Sequence, residues 1–513
     1  MNLLNEKSIN TGSYYCTWCT QDLILKRKDF KKIRVNSTRD ALGEEFLFGE
    51  LGVLNMIDED IRGDLIVVID DGWDVSYGLN PDHCDNNNYD INCFGSLELS
   101  EERFPSFKGS PKERLKKLSD KVKSLGYAGL GLWISPQVPH KKGIGDDAII
   151  SKDYWIKRLK WCDYAGIKHW KIDWGINENN DEYRKMMYDN ARIYAPNLKL
   201  EQAVTNCPFD VLKEERDGKW YQNRIKRLSN MQSFSDYMRI YDATMPFFFT
   251  TQVNRTIELF MAARKYNNYT DCIPNVEDFL YAAATLGLTF GAMRMSKIEL
   301  DPRYEQKPFF VKPDTELKRT IRWQRIAPPF SIKESSFEIN EEIYRDSYFF
   351  PNLKEEEKTW PFDIWGTMKM QDSYAAMSRN MELPIVKSDS EKPFVFSSIN
   401  PKTNAFSILT TPRSLGGNVI YTFLADVEAK AKSSEYPIGI FGHYKSLTIS
   451  FDNNIEGKKV YAQDLATDDA IDITKDVIIN KNKITFSGSL IDKIGLTVSE
   501  VETELPGMIV KIM

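Results

Sequence analysis

Short apolar runs that each end on a polar or aromatic tip, separated by helical patterns, recur along the first three hundred residues of this chain. An apolar run of about four to eight residues reads as a strand buried on both faces, and strands alternating with helices mark repeated βα units and a parallel sheet. LIVVID, residues 65–70, leads into Asp70, Asp71, Gly72 and Trp73. PKERLKKLSDKVKSL, residues 111–125, spaces Leu115, Leu118, Val122 and Leu125 along one helical face. GYAGLGLWISP, residues 126–136, carries Trp133 near its tip, and a helix near Asp153 to Ala165 leads to IKHWKIDWG, residues 167–175. The helix DEYRKMMYDNARIY precedes a further strand, LKLEQAV, residues 198–204. In a (β/α)8 barrel the strand ends converge on one pocket, so side chains far apart in sequence meet there. The predicted fold is α/β, a (β/α)8 TIM barrel whose pocket collects Asp70, Asp71, Trp133, Lys171, Asp173 and Glu201.

The chain has 513 residues, and a barrel of about 250 residues or more absorbs much of that length as one unit. A charged, Pro-containing stretch from about Leu300 to Trp360 reads as irregular connections. From about Leu383 the pattern becomes short strands punctuated by NPKTN, DNN, NKN and SGS turns: FVFSSI, NAFSILTT, NVIYTFLA, SLTISF, KVYAQDL, DVIINKNKITFSG, IGLTVSEV and MIVKIM. That pattern predicts a C-terminal antiparallel β-sandwich. The expected division is a catalytic barrel over residues 1–382, with irregular insertions near 300–360, and a β-domain over 383–513.

Composition removes several classes of function. The formal net charge is −6 with both signs interspersed, which argues against nucleic-acid binding. Only four His are present, none paired at ligand spacing, so no metal or other cofactor is expected and carboxylates become the default acid, base and nucleophile. Seven scattered Cys read as mostly free thiols; Cys16 and Cys19 form a lone CxxC, a minor case for redox or zinc use, and Cys84 and Cys93 could clip the loop between them in an oxidising compartment. The start MNLLNEKSIN lacks the apolar core of a signal peptide, and no stretch approaches a membrane span. As written the chain is expected in the cytoplasm, with no membrane partner; a signal removed beforehand would instead put it in the periplasm or outside the cell.

Glycoside hydrolysis needs two carboxyl groups facing the anomeric carbon, about 5 to 5.5 Å apart in a retaining enzyme. Asp173 closes an apolar strand, and Lys171, two residues earlier, shares its face by strand alternation. A neighbouring ammonium favours the ionised carboxylate that a nucleophile requires. The plainer reading of Asp173 is a strand-end residue that caps the next helix, and that of the tryptophans is core packing.

WKIDWG resembles the Lys-x-Asp nucleophile motif of glycoside hydrolase clan D, the α-galactosidase-like families 27 and 36. VVIDDGW resembles the paired-Asp-Gly-Trp motif that ends an early barrel strand of that clan, and GLGLWISPQ is similar to the following strand of family 36. The three occur in the family order over residues 65–175, with weaker similarity from Trp18 to about Arg294. The resemblance implies Asp173 as nucleophile, Asp70, Asp71 and Lys171 on sugar hydroxyls, Trp18, Trp73 and Trp133 as pocket walls, and Glu201 as the acidic or polar residue of the next strand. Arg239 would bind substrate, and the acid/base is either Asp242 or Asp236. Family 27 sets its acid four residues after an Arg, whereas Asp242 follows Arg239 by three; family 36 shows a Ser-Asp pair like Ser235 and Asp236. The Arg-then-Asp order favours Asp242. The implied activity is an exo-acting, retaining, α-galactosidase-like hydrolysis of an oligosaccharide or glycoconjugate. The alternatives are an α-N-acetylgalactosaminidase or transglycosylase of the same clan, and a non-catalytic carbohydrate-binding protein on a decayed barrel.

Overall fold

The structure is a computed structural model, and it describes residues 1–5, 7–24, 38–50, 52–77, 94–139, 148–203, 211–240, 249–294, 314–349, 368–415, 420–501 and 504–513. Eight parallel strands close into a barrel in sequence order: β1 (Tyr14–Cys16), β2 (Ile66–Ile69), β3 (Gly129–Ile134), β4 (His169–Ile172), β5 (Lys199–Ala203), β6 (Tyr237–Arg239), β7 (Ile273–Glu277) and β8 (Thr289–Ala292), with β8 pairing back onto β1. β2, β3 and β4 are buried at every position; β2 and β3 are accordingly continuous apolar runs, whereas β4, HWKI, alternates Trp170 and Ile172 with the buried His169 and Lys171. The helix Pro111–Ser124 starts with Pro at its first position, and the Ser110 backbone N–H donates to Glu113 Oε2 at 2.8 Å. The helix Asp181–Tyr194 is capped by Asn180, whose side chain accepts from the Tyr183 N–H at 3.1 Å.

Gly291 on β8 makes room inside the barrel. A Cβ at that position would lie 2.5 Å from the ring of Tyr14, so the bare backbone is what lets the ring lie among the strands.

Beyond the barrel, two sheets pack on each other. The larger has eight strands in the order Ile471–Asp472, Val460–Asp464, Gly507–Ile512, Ile438–Phe441, Phe406–Thr411, Phe394–Ile399, Ala376–Arg379 and Phe337–Ile339. The smaller has five: Ile385–Lys387, Asp426–Lys430, Ser446–Ser450, Lys483–Ser487 and Ile478–Asn480. Their facing side chains, among them Val395, Ile408, Ile440 and Val510 against Val427, Leu447, Ile449 and Phe486, form one apolar core. The sandwich is mostly antiparallel, with parallel neighbours at Ala376–Arg379 beside Phe394–Ile399, Phe406–Thr411 beside Ile438–Phe441, and Asp426–Lys430 beside Ser446–Ser450. Its larger sheet draws two strands from before residue 383.

The opposite face of that sheet packs on the barrel: Phe441 lies 4.9 Å from the ring of Tyr281 and 6.1 Å from Trp323, and Phe396 lies 6.1 Å from Phe279. Both faces of Phe394–Ile399 are therefore buried, the two small serines Ser397 and Ser398 included. Arg319 adds a buried polar tie, donating to both oxygens of Asp464 at 2.7 and 2.9 Å and to Glu504.

Two expectations need correction. The stretch from Leu300 to Trp360 is not all irregular: it contains the helix Asp314–Gln324 and the strands Phe337–Ile339 and Ile343–Phe349. In that helix Leu317, Ile321 and Gln324 face inward at helical spacing, but the buried Arg319 and Arg322 break the apolar signal. IGLTVSEV is not a strand but the end of the helix Gly488–Gly495 and the turn after it. Ser487 caps that helix by accepting from the Leu490 N–H at 3.2 Å, and Leu490, Ile491 and Ile494 supply its buried face.

Candidate active site

Asp173 stands at the C-terminal end of β4, and its backbone is fixed before its side chain is considered. Its N–H donates to Ile134 O at 3.0 Å, and its carbonyl accepts from Arg184 at 2.6 Å. Arg184, wholly buried, also donates to Gln202 Oε1 on β5 at 2.8 Å, tying two strand ends together. The carboxylate is then gripped on both oxygens: Arg239 donates to Oδ1 at 2.8 Å and the Trp133 indole N–H to Oδ2 at 3.0 Å. Burial pushes this carboxyl up, but Arg239 and Lys171 together with the Trp133 and Arg239 hydrogen bonds outweigh it and hold Asp173 below the ordinary carboxylate value.

Lys171, one pleat earlier, turns into a ring of acceptors. Its ammonium donates to Asp70 Oδ2 at 2.9 Å and to Cys16 Sγ at 3.4 Å, and lies 3.3 Å from Glu277 Oε1. The Cys16 thiol itself donates to Asp70 Oδ2 at 3.0 Å; burial and the Asp70 charge push it well up, so it remains a neutral donor. Burial alone would lower Lys171, yet the carboxylates of Asp70 and Glu277 raise it well above the usual lysine value. Arg239 links the same acids from β6: it donates to Glu277 Oε1 at 3.3 Å and lies 3.7 Å from Glu201 Oε1. Glu201 is wholly buried inside the barrel, where the Tyr14 hydroxyl donates to its Oε1 at 3.0 Å and His169 lies 3.6 Å from its Oε2. The sequence-derived set Asp70, Lys171, Asp173, Glu201, Arg239 and Trp133 is thus one contiguous cluster.

Asp71 is held differently. Arg39 chelates it with donors at 2.7 Å to Oδ1 and 2.5 Å to Oδ2, while burial pushes the carboxyl up against that pull. Arg39 is in turn positioned by the buried Arg103, which donates to Arg39 O at 2.9 Å, Leu42 O at 3.0 Å and Asp40 Oδ1 at 2.9 Å. Trp73 is wholly buried and donates to Trp133 O at 2.9 Å, so its ring belongs to the core rather than to an open wall. Trp133 packs 5.4 Å from Trp174 and 6.2 Å from Phe94. Trp18, half-buried, opens the short helix Trp18–Ile24 directly after β1.

Asp236 is not brought to this cluster. It precedes β6, at the end of the barrel opposite Asp173, where it accepts from Lys199 at 3.0 Å, from Arg192 at 3.2 Å and from the Leu200 N–H at 2.9 Å. Those bonds tie the starts of β5 and β6, which is a structural task. Asp242 lies outside the described residues, as do Cys84 and Cys93.

The sequence reading missed Glu277, Tyr14, Cys16, Arg39, Arg184 and Trp174 as members of the site. Glu277 ends IPNVE, a run whose internal Pro274 argues against a central strand, and Arg39 comes from a polar connection with no pattern. Trp174 was in view, since it completes WKIDWG beside Asp173. Among the described residues no group of three or more His, Cys, Asp or Glu is arranged to hold a metal ion, and no helix is long and apolar enough to cross a membrane.

Neither a family model nor a curated protein sequence matches the chain. Among solved structures it is similar to a family 27 β-L-arabinopyranosidase from Geobacillus stearothermophilus, at 11% identity over 99% of this chain and 96% of that one, with a TM-score of 0.39. It is similar also to a candidate α-N-acetylgalactosaminidase from Bacillus halodurans, at 11% identity over 100% and 99%, TM-score 0.39. An α-amylase from Geobacillus thermoleovorans, complexed with acarbose, matches at 9% identity over 98% and 99%, TM-score 0.43. The functional reading rests on the side chains of the site.

Proposed function

We propose that the chain is a retaining α-glycosidase, exo-acting and α-galactosidase-like, which removes a terminal α-linked sugar from an oligosaccharide or glycoconjugate. The observation that carries this reading is the condition of Asp173. Its carboxylate is kept ionised by Arg239 and Trp133, and at 8% exposure it is the most open member of its cluster, against 3% for Asp70 and 2% for Lys171, Arg239 and Glu277. An ionised carboxylate that reaches solvent from within a ring of fixed charges suits attack on an anomeric carbon.

In the first step an Asp173 oxygen bonds to carbon one as the bond to the leaving oxygen breaks, and Asp242 gives that oxygen its proton. In the second, Asp242 takes a proton from water, the water oxygen bonds to carbon one, and Asp173 departs with its original charge. Two inversions retain the configuration. Asp242 is preferred as acid/base because it keeps the Arg-then-Asp order after Arg239, whereas Asp236 is committed to Arg192, Lys199 and the Leu200 N–H. Lys171 and Arg239 can donate to sugar hydroxyls while Asp70 and Asp71 accept from them, with Trp18 and Trp133 as apolar neighbours. This chemistry needs no cofactor.

The test is turnover of aryl α-glycosides bearing different sugars, galactose first, by the wild type and by Asp173→Asn. Turnover on at least one sugar with a retained product, and a loss of about a thousand-fold or more in the variant, is the expected outcome. An inverted product, or unchanged turnover by Asp173→Asn, refutes the reading.

A further inference from the structure

We propose that Glu277 is a positioning residue that sets how strongly Asp173 attacks and how readily it leaves, by holding and partly neutralising the two cations that face it. The proposal rests on the glycosidase reading above and assigns a task to an acid that the two-step chemistry leaves idle.

The geometry is a shared oxygen. Glu277 Oε1 lies 3.3 Å from Lys171 Nζ and 3.3 Å from an Arg239 nitrogen, and Arg239 reaches Asp173 at 2.8 Å by its other terminal nitrogen. A single carboxylate thus bridges the ammonium on β4 and the guanidinium on β6. Those two cations repel one another, and both pull electron density from Asp173. Glu277 draws each of them toward β7 and offsets part of their field at the nucleophile.

The backbone beneath it is rigid. Glu277 O accepts from Gln252 on the helix Phe249–Tyr266 at 3.1 Å. The next residue, Asp278, has a left-handed φ of 50°, and its carboxylate is fixed by the Met293 N–H and by Arg294, each at 2.7 Å. At 2% exposure Glu277 is nearly sealed from water, so little solvent can take over its screening.

The consequence distinguishes the two chemical steps. Removing the Glu277 charge exposes Asp173 more fully to Lys171 and Arg239, making it a weaker base, hence a slower nucleophile and a faster leaving group. A residue that only supports the fold would slow both steps together. Pre-steady-state kinetics on a dinitrophenyl α-glycoside reads the steps separately, and first-order rate constants do not depend on how much of a variant folds.

Glu277→Gln is expected to slow glycosylation about ten-fold while deglycosylation holds or rises, so the burst of released phenol shrinks. Glu277→Asp, which keeps the charge, should recover much of the wild-type ratio of the two rates. Equal slowing of both steps in Glu277→Gln, no change in either, or no recovery in Glu277→Asp overturns the assignment while leaving Asp173 as nucleophile. A wild type whose turnover is indifferent to Asp173→Asn sinks the parent reading instead, and this proposal with it.

Discussion

Replacing Trp133 by Phe removes one donor from Asp173 and leaves the other in place. The indole N–H is 3.0 Å from Oδ2, and the ring packs against Phe94 and Trp174, contacts that a benzyl side chain largely keeps. A hydrogen bond to a charged group contributes about 1.5 to 3 kcal/mol. At about 1.36 kcal/mol per unit, its loss should raise the Asp173 pKa by about one to two units. The sign follows from the folded state: Asp173 is depressed below its unfolded value, so its contribution to stability is present above about pH 4 and is lost as pH falls through the folded pKa. In Trp133→Phe that loss begins at higher pH, and the acid limb of kcat/KM on an activated aryl α-glycoside moves up by the same amount. Trp73→Phe is the control, since it opens a similar cavity in the core and removes a bond to the Trp133 carbonyl without touching Asp173. Both variants should lose on the order of 1 to 2 kcal/mol from the smaller ring, read from urea unfolding. An acid limb that stays still or falls in Trp133→Phe, or moves equally in Trp73→Phe, refutes the claim that the indole holds this carboxylate ionised.

Asp236→Asn should lower the unfolding free energy by about 1 to 2 kcal/mol, from weakened bonds to Arg192 and Lys199, and leave kcat within about two-fold, whereas Asp242→Asn should abolish turnover of substrates with poor leaving groups. Arg379→Met should cost about 3 to 5 kcal/mol in urea unfolding, because the buried guanidinium donates to the carbonyls of Leu286, Gly287, Phe330 and Ser331 and joins the sandwich to the barrel; a cost below about 1 kcal/mol would show those carbonyls finding other donors. Asp74 is pushed up to about 6 by burial and by Asp71, so its stabilising protonated form is fully present below about pH 4 and lost as pH rises through 6. Asp74→Asn should therefore flatten a fall in stability on the order of 3 kcal/mol between pH 4 and 7, followed by denaturant midpoints across that range.

Several residues that were legible in the sequence share a physical property: they sit on, or directly after, strands buried on both faces. β2 is an unbroken apolar run, and the first polar residue after it, Asp70, marks the rim; in β4 the alternation of Trp170 and Ile172 with His169 and Lys171 leads up to Asp173. β6 and β8 leave almost no such mark, the one being three residues long and the other interrupted by Gly291. The missing side chain at Gly291 is itself informative only in three dimensions, where it makes room for the Tyr14 ring. Asp236 misled because a Ser-Asp pair looks the same at either end of a strand; only the position of β6 shows that Asp236 enters it and Arg239 leaves it. Trp73 and Trp133, both nearly sealed from solvent, could not be separated by type, since one indole N–H finds a backbone carbonyl and the other a carboxylate.

The cluster also has a charge balance that no single residue discloses. Four carboxylates, Asp70, Asp173, Glu201 and Glu277, surround Lys171 and Arg239, and the buried Arg184 stands behind Asp173 on its carbonyl, so the acids outnumber the three cations by one. Asp71, chelated by Arg39, adds nothing to the excess. An unbalanced buried cluster is costly to keep, and fixed charge held in place before the reaction is what stabilises opposite charge that develops during it. The oxocarbenium-like transition state of glycoside transfer is such a charge, positive at carbon one and the ring oxygen, and the carboxylate that faces it is Asp173, whereas Glu277 is taken up by Lys171 and Arg239. An acid that merely capped a helix behind β4 would need neither the guanidinium nor the indole on its carboxylate. The guanidinium and the indole on its two oxygens therefore favour the nucleophile reading of Asp173 over the capping one.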